Sequence, residues 1–419
     1  MKDLIMRNYI KLDNIPKYLL IGISSIFGYM LFFISYLTPR KKNVWIFGSW
    51  YGKRFSDNSK YLFLYVANNH KDIKPIWISK NKKIIDELRK NNYLAYHAYE
   101  LRGIYYNLIG KYIFSDSYFD SVNYWCCGGG IKIQLWHGFM LKKIENDAKN
   151  LPWHKPLYKP FYFFLGPWIP AKNDYVLSSS DMVTDIFSSA FDIKKENIIL
   201  AGLPRNDVIY KPMQGCELLD KQIFDDITRL KLNNPNTKLI LYMPTFRDSE
   251  SKESINMKMD LEKLENFLET INGFILMKFH PAIKIYQDYN KKDRIIYLPG
   301  SMDIYPILNK IDILITDYSS IYLDFLNTGK PIIFFPYDLK NYLEKDRDLY
   351  FDYNEFTPGP KALTFPELLD WINYFINNKD EFVDSRKKIQ DKCFKYSDDK
   401  SSYRVFNFIK NHMENSNSK

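Results

Sequence analysis

Several well-known catalytic and binding signatures are missing from this 419-residue sequence. The four Cys residues include no CxxC spacing, which favours a reducing compartment without structural zinc. The six His residues form no HExxH pattern, and no glycine-rich P-loop is present. No common DNA- or RNA-binding motif occurs either. The formal charge of +10 therefore favours other phosphate-rich partners, such as a nucleotide, an anionic lipid or another polyanion.

Long apolar runs are also rare, and one stretch stands out. Residues 18–37 (YLLIGISSIFGYMLFFISYL) contain no charged side chain, and as a helix they would extend about 30 Å, the thickness of a bilayer core. The stretch lacks the small-residue cleavage site of a signal peptide. We expect residues 1–42 to be a membrane anchor that spans the bilayer or lies in its interface. A buried core helix is the alternative.

From residue 43 onward, short apolar strands alternate with helical stretches. This alternation predicts an α/β fold with two mainly parallel sheets. A polar, proline-containing stretch without a strand pattern, 210–236, separates the two strand series. We therefore expect a first domain at 43–209, a linker at 210–236 and a second domain at 237–419.

Residues 139–173 differ from the rest of the first domain because lysines alternate there with aromatic side chains and prolines. Basic and aromatic side chains together are typical of proteins that contact a membrane interface or a lipid-linked polyanion. A helical hairpin that packs its aromatic side chains internally would produce the same composition. Both interpretations remain open from the sequence.

Five short polar motifs follow predicted strands, where open α/β sheets place their ligands. Histidine can accept a proton from a hydroxyl, while arginine and lysine neutralise phosphate charge. This combination suits metal-independent transfer from an activated phosphodiester. The motifs are Trp136-His137-Gly138, Gly202-Leu203-Pro204-Arg205-Asn206-Asp207, Pro244-Thr245-Phe246-Arg247, Lys278-Phe279-His280-Pro281 and Thr316-Asp317-Tyr318-Ser319-Ser320.

Each motif also has a purely structural interpretation. Ser319 and Ser320 precede a predicted helix, where hydroxyls either cap the helix or bind phosphate. Arg205 and Arg247 would pair with the nearby Asp207 and Asp248 in such a reading. The sequence Asp346-Arg347-Asp348 has the DxD spacing of metal-dependent glycosyltransferases, but it lies in a charged, loop-like stretch, so we predict no metal site.

The order WHG, GxPRxD, PTxR, KxHP, TDYSS resembles the CDP-glycerol glycerophosphotransferase family, which builds teichoic acids and related capsular polymers. The resemblance extends from about residue 44 to the last helix. It implies a GT-B architecture, in which two Rossmann-like domains face each other across a cleft. It also implies a CDP-glycerol or CDP-ribitol donor without a further cofactor, a lipid-linked glycan or polyol-phosphate acceptor, and attachment to the cytoplasmic side of the cell membrane.

The resemblance assigns roles to individual residues. His137 matches the candidate base, and His280 matches a histidine expected near the donor phosphates. Gly138, Lys142 and Lys143 fall on the acceptor side. The positions expected to bind the donor phosphates or brace the cleft are Arg205, Arg247, Lys278, Thr316, Ser319 and Ser320. Asp317 and Asp324 belong to the same donor site. Asp317, like Asp207, is expected to orient its neighbours rather than meet the phosphates directly, and Asp324 to make a structural or nucleotide-side contact.

The motif after WHG departs from the family pattern. The family usually continues Thr-Pro-Leu-Lys, whereas this sequence has Phe139-Met140-Leu141-Lys142, which leaves the acceptor open. Two other functions compete with phosphotransfer: a GT-B glycosyltransferase that uses a nucleotide-sugar, and a non-catalytic membrane-bound protein that binds the polymer. The two intact histidines, His137 and His280, speak against the binding protein, which has no need of both.

Overall fold

A computed structural model describes residues 15–148, 171–245, 259–279, 293–339 and 349–415, with side chains from Ser25 onward. The chain folds into two compact units. The first unit contains residues 1–137, 144–204 and 402–419, and the second contains residues 138–143 and 205–401. Each unit is built on a parallel sheet, so the chain has the predicted α/β fold.

The division into units differs from the predicted domains at several places. Residues 138–143 and 205–209, which were expected in the first domain, belong to the second unit. The stretch 210–236, which looked like a linker, contains a helix with buried Phe224 and Ile227 and belongs to the second unit. Residues 402–419 belong to the first unit rather than the second. Both stretches form helices whose apolar side chains pack in a core. The average composition of a stretch does not show which core its side chains join, so the sequence did not reveal these assignments.

The sheet of the first unit has seven parallel strands in the order β3-β2-β1-β4-β5-β6-β7. The inner strand β1 carries the buried run Val44–Phe47, because helices cover both faces of a parallel sheet. The strands are β1 (Lys41–Gly48), β2 (Lys74–Ser79), β3 (Ala95–His97), β4 (Gly110–Ser115), β5 (Ile131–Gln134), β6 (Tyr175–Ser178) and β7 (Ile198–Leu200).

Helices connect these strands. Their caps follow the expected chemistry, since the side chains of Asn81 and Ser180 accept hydrogen bonds from the first turns of α3 and α5. The helices of this part of the chain are α1 (Ile15–Leu37), α2 (Asp57–Asn69), α3 (Lys82–Lys90), α4 (Leu101–Ile109) and α5 (Asp181–Ala190).

Helix α1 packs one face against the first unit. A Cβ atom on Gly28 would lie 2.4 Å from the Trp125 ring, so glycine is required for this close approach. Phe32 stacks on Tyr124 at a ring-centroid distance of 5.1 Å. Among the described residues, no helix combines the length and the apolar character needed to cross a bilayer. The prediction of a membrane-spanning segment at 18–37 therefore finds no support.

Arg40 fastens the end of α1 to the rest of the unit. Its guanidinium donates hydrogen bonds to five backbone carbonyls, and this cluster holds the helix end, the start of β4 and the loop before β5 together. The carbonyls belong to Asn107 at 2.7 Å, Gly110 at 2.9 Å, Ser35 at 3.1 Å, Cys126 at 2.8 Å and Gly128.

We expect Arg40→Lys to lower the free energy of unfolding by about 3 kcal/mol or more, because an ammonium has fewer donors and no planar fork, and each orphaned buried carbonyl costs about 1–3 kcal/mol. Urea unfolding followed by circular dichroism measures the effect. The exposed neighbour Lys41 provides the control as Lys41→Arg, and equal stabilities of the two variants would contradict the prediction.

The second unit has a five-stranded parallel sheet in the order β10-β9-β8-β11-β12. Its core includes Ile240, Ile275 and Ile315, one from each of the three inner strands. The strands are β8 (Lys238–Tyr242), β9 (Gly273–Lys278), β10 (Ile295–Leu298), β11 (Ile313–Thr316) and β12 (Ile332–Phe334). The helices are α6 (Asp207–Tyr210), α7 (Lys221–Asn233), α8 (Leu261–Thr270), α9 (Ile321–Phe325), α10 (Tyr353–Phe356), α11 (Phe365–Asn377) and α12 (Val383–Cys393).

The last helix, α13 (Ser401–Asn415), packs in the first unit. Phe406 is buried and its ring contacts Trp45 of β1 and His70 at the end of α2. The Tyr112 hydroxyl lies 3.1 Å from His412 Nδ1. These contacts make residues from both ends of the chain part of one core.

Candidate active site

Open parallel sheets bind ligands at the switch point, where the strand order along the sheet reverses. Each of the two sheets has such a point beside the strand that comes first in the chain. In the first sheet the reversal lies between β1 and β4, and in the second between β8 and β11. The loops after these strands carry Trp50, Asp116, Thr245 and Asp317. These four residues therefore lie where the topology favours a ligand, and Asp317 among them is a predicted site residue.

His137 follows β5 in the first unit, and its imidazole is held in one orientation. Its Nδ1 atom lies 2.6 Å from the carbonyl oxygen of Asp116. A carbonyl can only accept a hydrogen bond, so Nδ1 carries the proton and Nε2 of the neutral ring has the lone pair. This tautomer suits a general base that works through Nε2.

Asn58 fixes the loop that carries His137. Its side-chain amide is fully buried and donates to the carbonyls of Leu135 at 3.0 Å and Trp136 at 2.9 Å. The sequence search missed this residue. The available signal was an Asp-Asn pair at the start of a helix that follows the glycine-containing turn after the first strand. A buried amide without a hydrogen-bond partner would cost free energy, so the Asn58 side chain needs these two loop carbonyls as much as the loop needs Asn58.

Asp116 follows β4 and is another residue that sequence reasoning missed. Its side chain is buried and accepts a hydrogen bond from the backbone N–H of Trp50 at 3.2 Å. Burial raises the pKa of Asp116 well above its usual value, and the nearby charge of Asp57 raises it further. The residue thus joins the loops after β1 and β4 while its backbone carbonyl orients His137.

In the second unit, Thr316 and Asp317 join the loops after β8 and β11. The Thr316 hydroxyl donates to the Met243 carbonyl at 2.8 Å, and Asp317 Oδ1 accepts from the Thr245 N–H at 2.8 Å. Asp317 is 1% exposed. The Asp317 carboxylate thus orients the neighbouring loop, and a like-charged phosphate would not favour contact with it.

Lys278 ends β9 and is also buried. Its ammonium group donates to the carbonyl of Gly300 at 3.1 Å. The residue therefore connects β9 to the loop that follows β10. Because β9 pairs with β8, Lys278 lies at the same sheet edge as the loop that carries Thr245.

Ser319 and Ser320 are half-buried at the start of α9. The side chain of Ser320 makes no capping hydrogen bond to that helix. A Cβ atom on Gly138 would lie 3.3 Å from Ser320 Oγ and 3.9 Å from Arg205 Nη2. The structure thus brings together three predicted site residues, and the capping interpretation of Ser320 finds no support.

Arg205 forms a buried ion pair with Asp324, 119 positions away. Its Nη2 lies 2.7 Å from Asp324 Oδ2, and the two side chains are 2% and 1% exposed. The Tyr305 hydroxyl donates to the same oxygen at 2.9 Å. Burial raises the pKa of Asp324, while the charge of Arg205 opposes that rise. The purely structural interpretation of the sequence had suggested Asp207 as the partner of Arg205. In the structure, the Asp207 carboxylate instead accepts a hydrogen bond from the backbone N–H of Ser401 at 2.9 Å.

The two acceptor-side lysines lie in a segment of the second unit. Lys142 forms an antiparallel bridge with Leu349, and the adjacent Leu141 carbonyl accepts the N–H of Tyr350 at 2.8 Å. Lys142 and Lys143 are half-buried. The altered turn after WHG is therefore paired with backbone of its own unit.

Some predictions fall outside the described residues. These are Arg247, His280, the DxD at 346–348 and residues 149–170 of the basic and aromatic stretch. Their roles stay predictions.

A protein-family model matches most of the chain. Residues 30–411 match the model of the CDP-glycerol:poly(glycerophosphate) glycerophosphotransferase family. This range includes every candidate site residue of both units.

Curated relatives agree with this match. The chain is 32% identical over 368 residues to a teichoic acid poly(glycerol phosphate) polymerase of Bacillus spizizenii, covering 84% of this chain and 88% of that protein. It is 31% identical over 314 residues to a teichoic acid glycerol-phosphate primase of Bacillus subtilis, covering 74% of this chain and 76% of the relative. It spans only half the length of a second polymerase, also from Bacillus subtilis, at 27% identity and with 90% of this chain aligned.

Solved structures give the same result. A structure of the wall teichoic acid polymerase TagF, from a variant soaked with CDPG, superposes with a TM-score of 0.74 at 25% sequence identity. The alignment covers 97% of this chain and 100% of that one. With the family model, the relatives and the fold in agreement, the chain belongs to the CDP-glycerol:poly(glycerophosphate) glycerophosphotransferase family.

Proposed function

We propose that this protein transfers glycerol phosphate or ribitol phosphate from a CDP-linked donor to a hydroxyl of a lipid-linked or polymeric acceptor. The reaction releases CMP and extends a teichoic acid or capsular polymer. Membership of the family and the names of the relatives, which include glycerol-phosphate and ribitol-phosphate polymerases and primases, support this proposal.

The orientation of His137 is the observation that carries the chemistry. With its Nδ1 proton bound to the Asp116 carbonyl, Nε2 accepts the proton of the acceptor hydroxyl. The hydroxyl oxygen forms a bond to the phosphorus that bears the polyol, and the bond between this phosphorus and the oxygen of CMP breaks. CMP leaves with the electron pair of that bond.

The second unit would bind the donor. Its switch-point loops carry the half-buried Ser319 and Ser320, whose hydroxyls suit phosphate oxygens, and Lys278 supplies positive charge nearby. His280 and Arg247 complete the proposed set for the donor phosphates. The protein contributes position and charge stabilisation rather than a covalent intermediate.

Release of CMP by the purified protein tests this function. CDP-glycerol, CDP-ribitol and several nucleotide-sugars are offered separately with a lipid-linked disaccharide acceptor, with and without EDTA. Turnover of one CDP-polyol in EDTA would support both the donor class and the metal-independent reaction. Turnover of a nucleotide-sugar alone would replace the function by glycosyl transfer. A protein that binds CDP-polyol in calorimetry but never releases CMP from any acceptor would be a binding protein.

We also propose that the protein works at the cytoplasmic face of the membrane and that α1 lies in the interface. Its residues at 25, 28, 32 and 35 face the rest of the first unit, while a second row of large apolar side chains is exposed. An apolar stripe of this kind suits the boundary between headgroups and acyl chains. The exposed side chains are Ile26 at 64%, Phe27 at 67%, Met30 at 57%, Phe33 at 71%, Ile34 at 54% and Leu37 at 85%.

We expect the double substitution Phe27→Glu and Phe33→Glu to weaken binding to phosphatidylglycerol vesicles at least tenfold, since each phenylalanine contributes about 1.5–3 kcal/mol when buried. Co-sedimentation with the vesicles measures this. Leu232→Glu on α7 is the matched control, because Leu232 is also 72% exposed but lies elsewhere. Equal loss in both variants would count against α1 as the membrane contact.

A further inference from the structure

The loop between β1 and α2 has an unusual backbone. Three successive residues, Trp50, Tyr51 and Gly52, have positive φ angles of 42°, 59° and 75°. Bulky side chains rarely adopt this conformation, and where they do, the surrounding structure enforces it. Here the Trp50 N–H donates to Asp116 Oδ1 at 3.2 Å and the Tyr51 N–H donates to Ser121 Oγ at 3.0 Å.

This backbone places the Trp50 ring beside His137. The two ring centroids are 5.1 Å apart, and the Trp136 ring lies 4.4 Å from the same imidazole. Together with the hydrogen bond to the Asp116 carbonyl, two indole rings therefore limit the rotation of the His137 side chain.

Asp57 holds the Trp50 ring from the start of α2. The indole Nε1–H donates a hydrogen bond to Asp57 Oδ2. Asp57 itself has a positive φ of 59°, which aspartate tolerates better than most residues. The Arg54 guanidinium lies 4.5 Å from the Trp50 ring centroid and adds a cation–π contact.

We propose that Trp50 and Asp57 are positioning residues for His137. Asp57 fixes the indole through its hydrogen bond, and the indole keeps the imidazole in the orientation in which Nε2 faces the acceptor hydroxyl. The proposal rests on the proposed function, in which His137 is the base. Small displacements of a catalytic group lower rates by factors of about 100, so a device that holds the ring affects turnover more than donor binding.

Three single substitutions separate the parts of this device. Asp57→Gly removes the carboxylate and suits the positive φ, whereas Asp57→Asn keeps an acceptor oxygen and also tolerates that φ. Trp50→Phe keeps an aromatic ring and removes the indole N–H. We expect kcat for CMP release to fall about tenfold or more in Asp57→Gly and in Trp50→Phe, with KM for the CDP-polyol within about twofold of the wild type. We expect Asp57→Asn to retain most of the rate.

The double variant gives the sharpest test. Once Trp50→Phe has removed the donor, the carboxylate has no indole to hold, so Asp57→Gly should then cause little further loss of kcat. If the factors by which the two single substitutions lower kcat multiplied in the double variant, the proposal would be overturned. A wild-type kcat in Asp57→Gly, or a loss in Asp57→Asn as large as that in Asp57→Gly, would also overturn it. If circular dichroism shows that Asp57→Gly is unfolded, the comparison of Trp50→Phe with Asp57→Asn decides.

A second readout does not depend on turnover. Nitrogen-15 NMR of labelled histidine, assigned by comparison with His137→Gln, reports the tautomer of the ring. We expect one tautomer protonated at Nδ1 in the wild type and in Asp57→Asn, and a mixture in Asp57→Gly and in Trp50→Phe. A wild type that shows this single tautomer but releases no CMP from any CDP-polyol would overturn the proposed function and keep the positioning role. Unchanged tautomers in both variants would overturn the positioning role.

Discussion

Replacement of His137 by alanine is expected to lower CMP release by about 10²–10⁴-fold, the contribution of a positioned general base. The acceptor hydroxyl then has no nitrogen beside it to take its proton. Steady-state assays with the preferred CDP-polyol measure the loss. Because donor binding is assigned to the second unit, calorimetry should find the affinity for the CDP-polyol within about threefold of the wild type.

His97→Ala is the matched control for this variant. His97 ends β3 in the same sheet, and its Nδ1 lies 3.3 Å from the backbone N–H of Tyr99, outside the switch-point loops. We expect its turnover to match the wild type. If His137→Ala kept wild-type turnover, another group would have to be the base and the proposed mechanism would be wrong.

Breaking the buried pair between Arg205 and Asp324 should give the largest loss of stability. Arg205→Ala leaves a carboxylate that is 1% exposed without its cation, and such a loss costs about 3–5 kcal/mol. Urea unfolding of the full chain, followed by tryptophan fluorescence and circular dichroism, measures it. Replacing both partners, as Arg205→Met with Asp324→Leu, should cost less than the single substitution, because no charge then remains buried.

The exposed pair of Lys387 and Asp391 on α12 provides the comparison. Both side chains are 59% exposed, so Lys387→Ala should change stability by about 0.5 kcal/mol or less. If Arg205→Ala were equally harmless, the buried pair would not stabilise the second unit.

The cost of Arg205→Ala should also depend on pH. The pKa of Asp324 is raised in the folded protein, so the folded state loses stability as the pH rises from the ordinary value of 3.8 through the folded pKa. Arg205 opposes this rise, and removing it raises the pKa of Asp324 further and widens the pH range of the loss. We therefore expect the difference between variant and wild type to grow as the pH rises above the ordinary pKa of the carboxyl, 3.8. A difference that shrinks with rising pH would contradict the assignment.

The elements of the fold could be predicted well where the pattern is local. The buried apolar runs of β1 and β11 and the switch to helical spacing at Ile321 are visible in adjacent residues, and motif order revealed the family. Partners far apart in the chain could not be predicted. Arg205 has Asp207 two positions away, yet its partner is Asp324, because burial and the geometry of α9 decide the pairing.

The candidate site shows the same limit. His137 was found because it ends a strand within a recognisable motif, whereas Asn58, Trp50 and Asp116 are neither histidines nor part of that motif. Asn58 acts on carbonyls 77 and 78 positions away, and only the sheet brings these atoms together. The apolar run at 18–37 shows a further limit. Its length suggested a membrane anchor, but the sequence could not show that Gly28 and Phe32 pack one face of it onto the rest of the first unit.

The return of α13 to the first unit has a consequence for synthesis. A ribosome makes β1 to β7 first, but the core of that unit also needs Phe406 against Trp45 and His412 beside Tyr112. The nascent first unit therefore stays incomplete until α13 has been translated, and its apolar surface is exposed meanwhile. A stop codon between β12 and α13 would thus damage the first unit as well as the second.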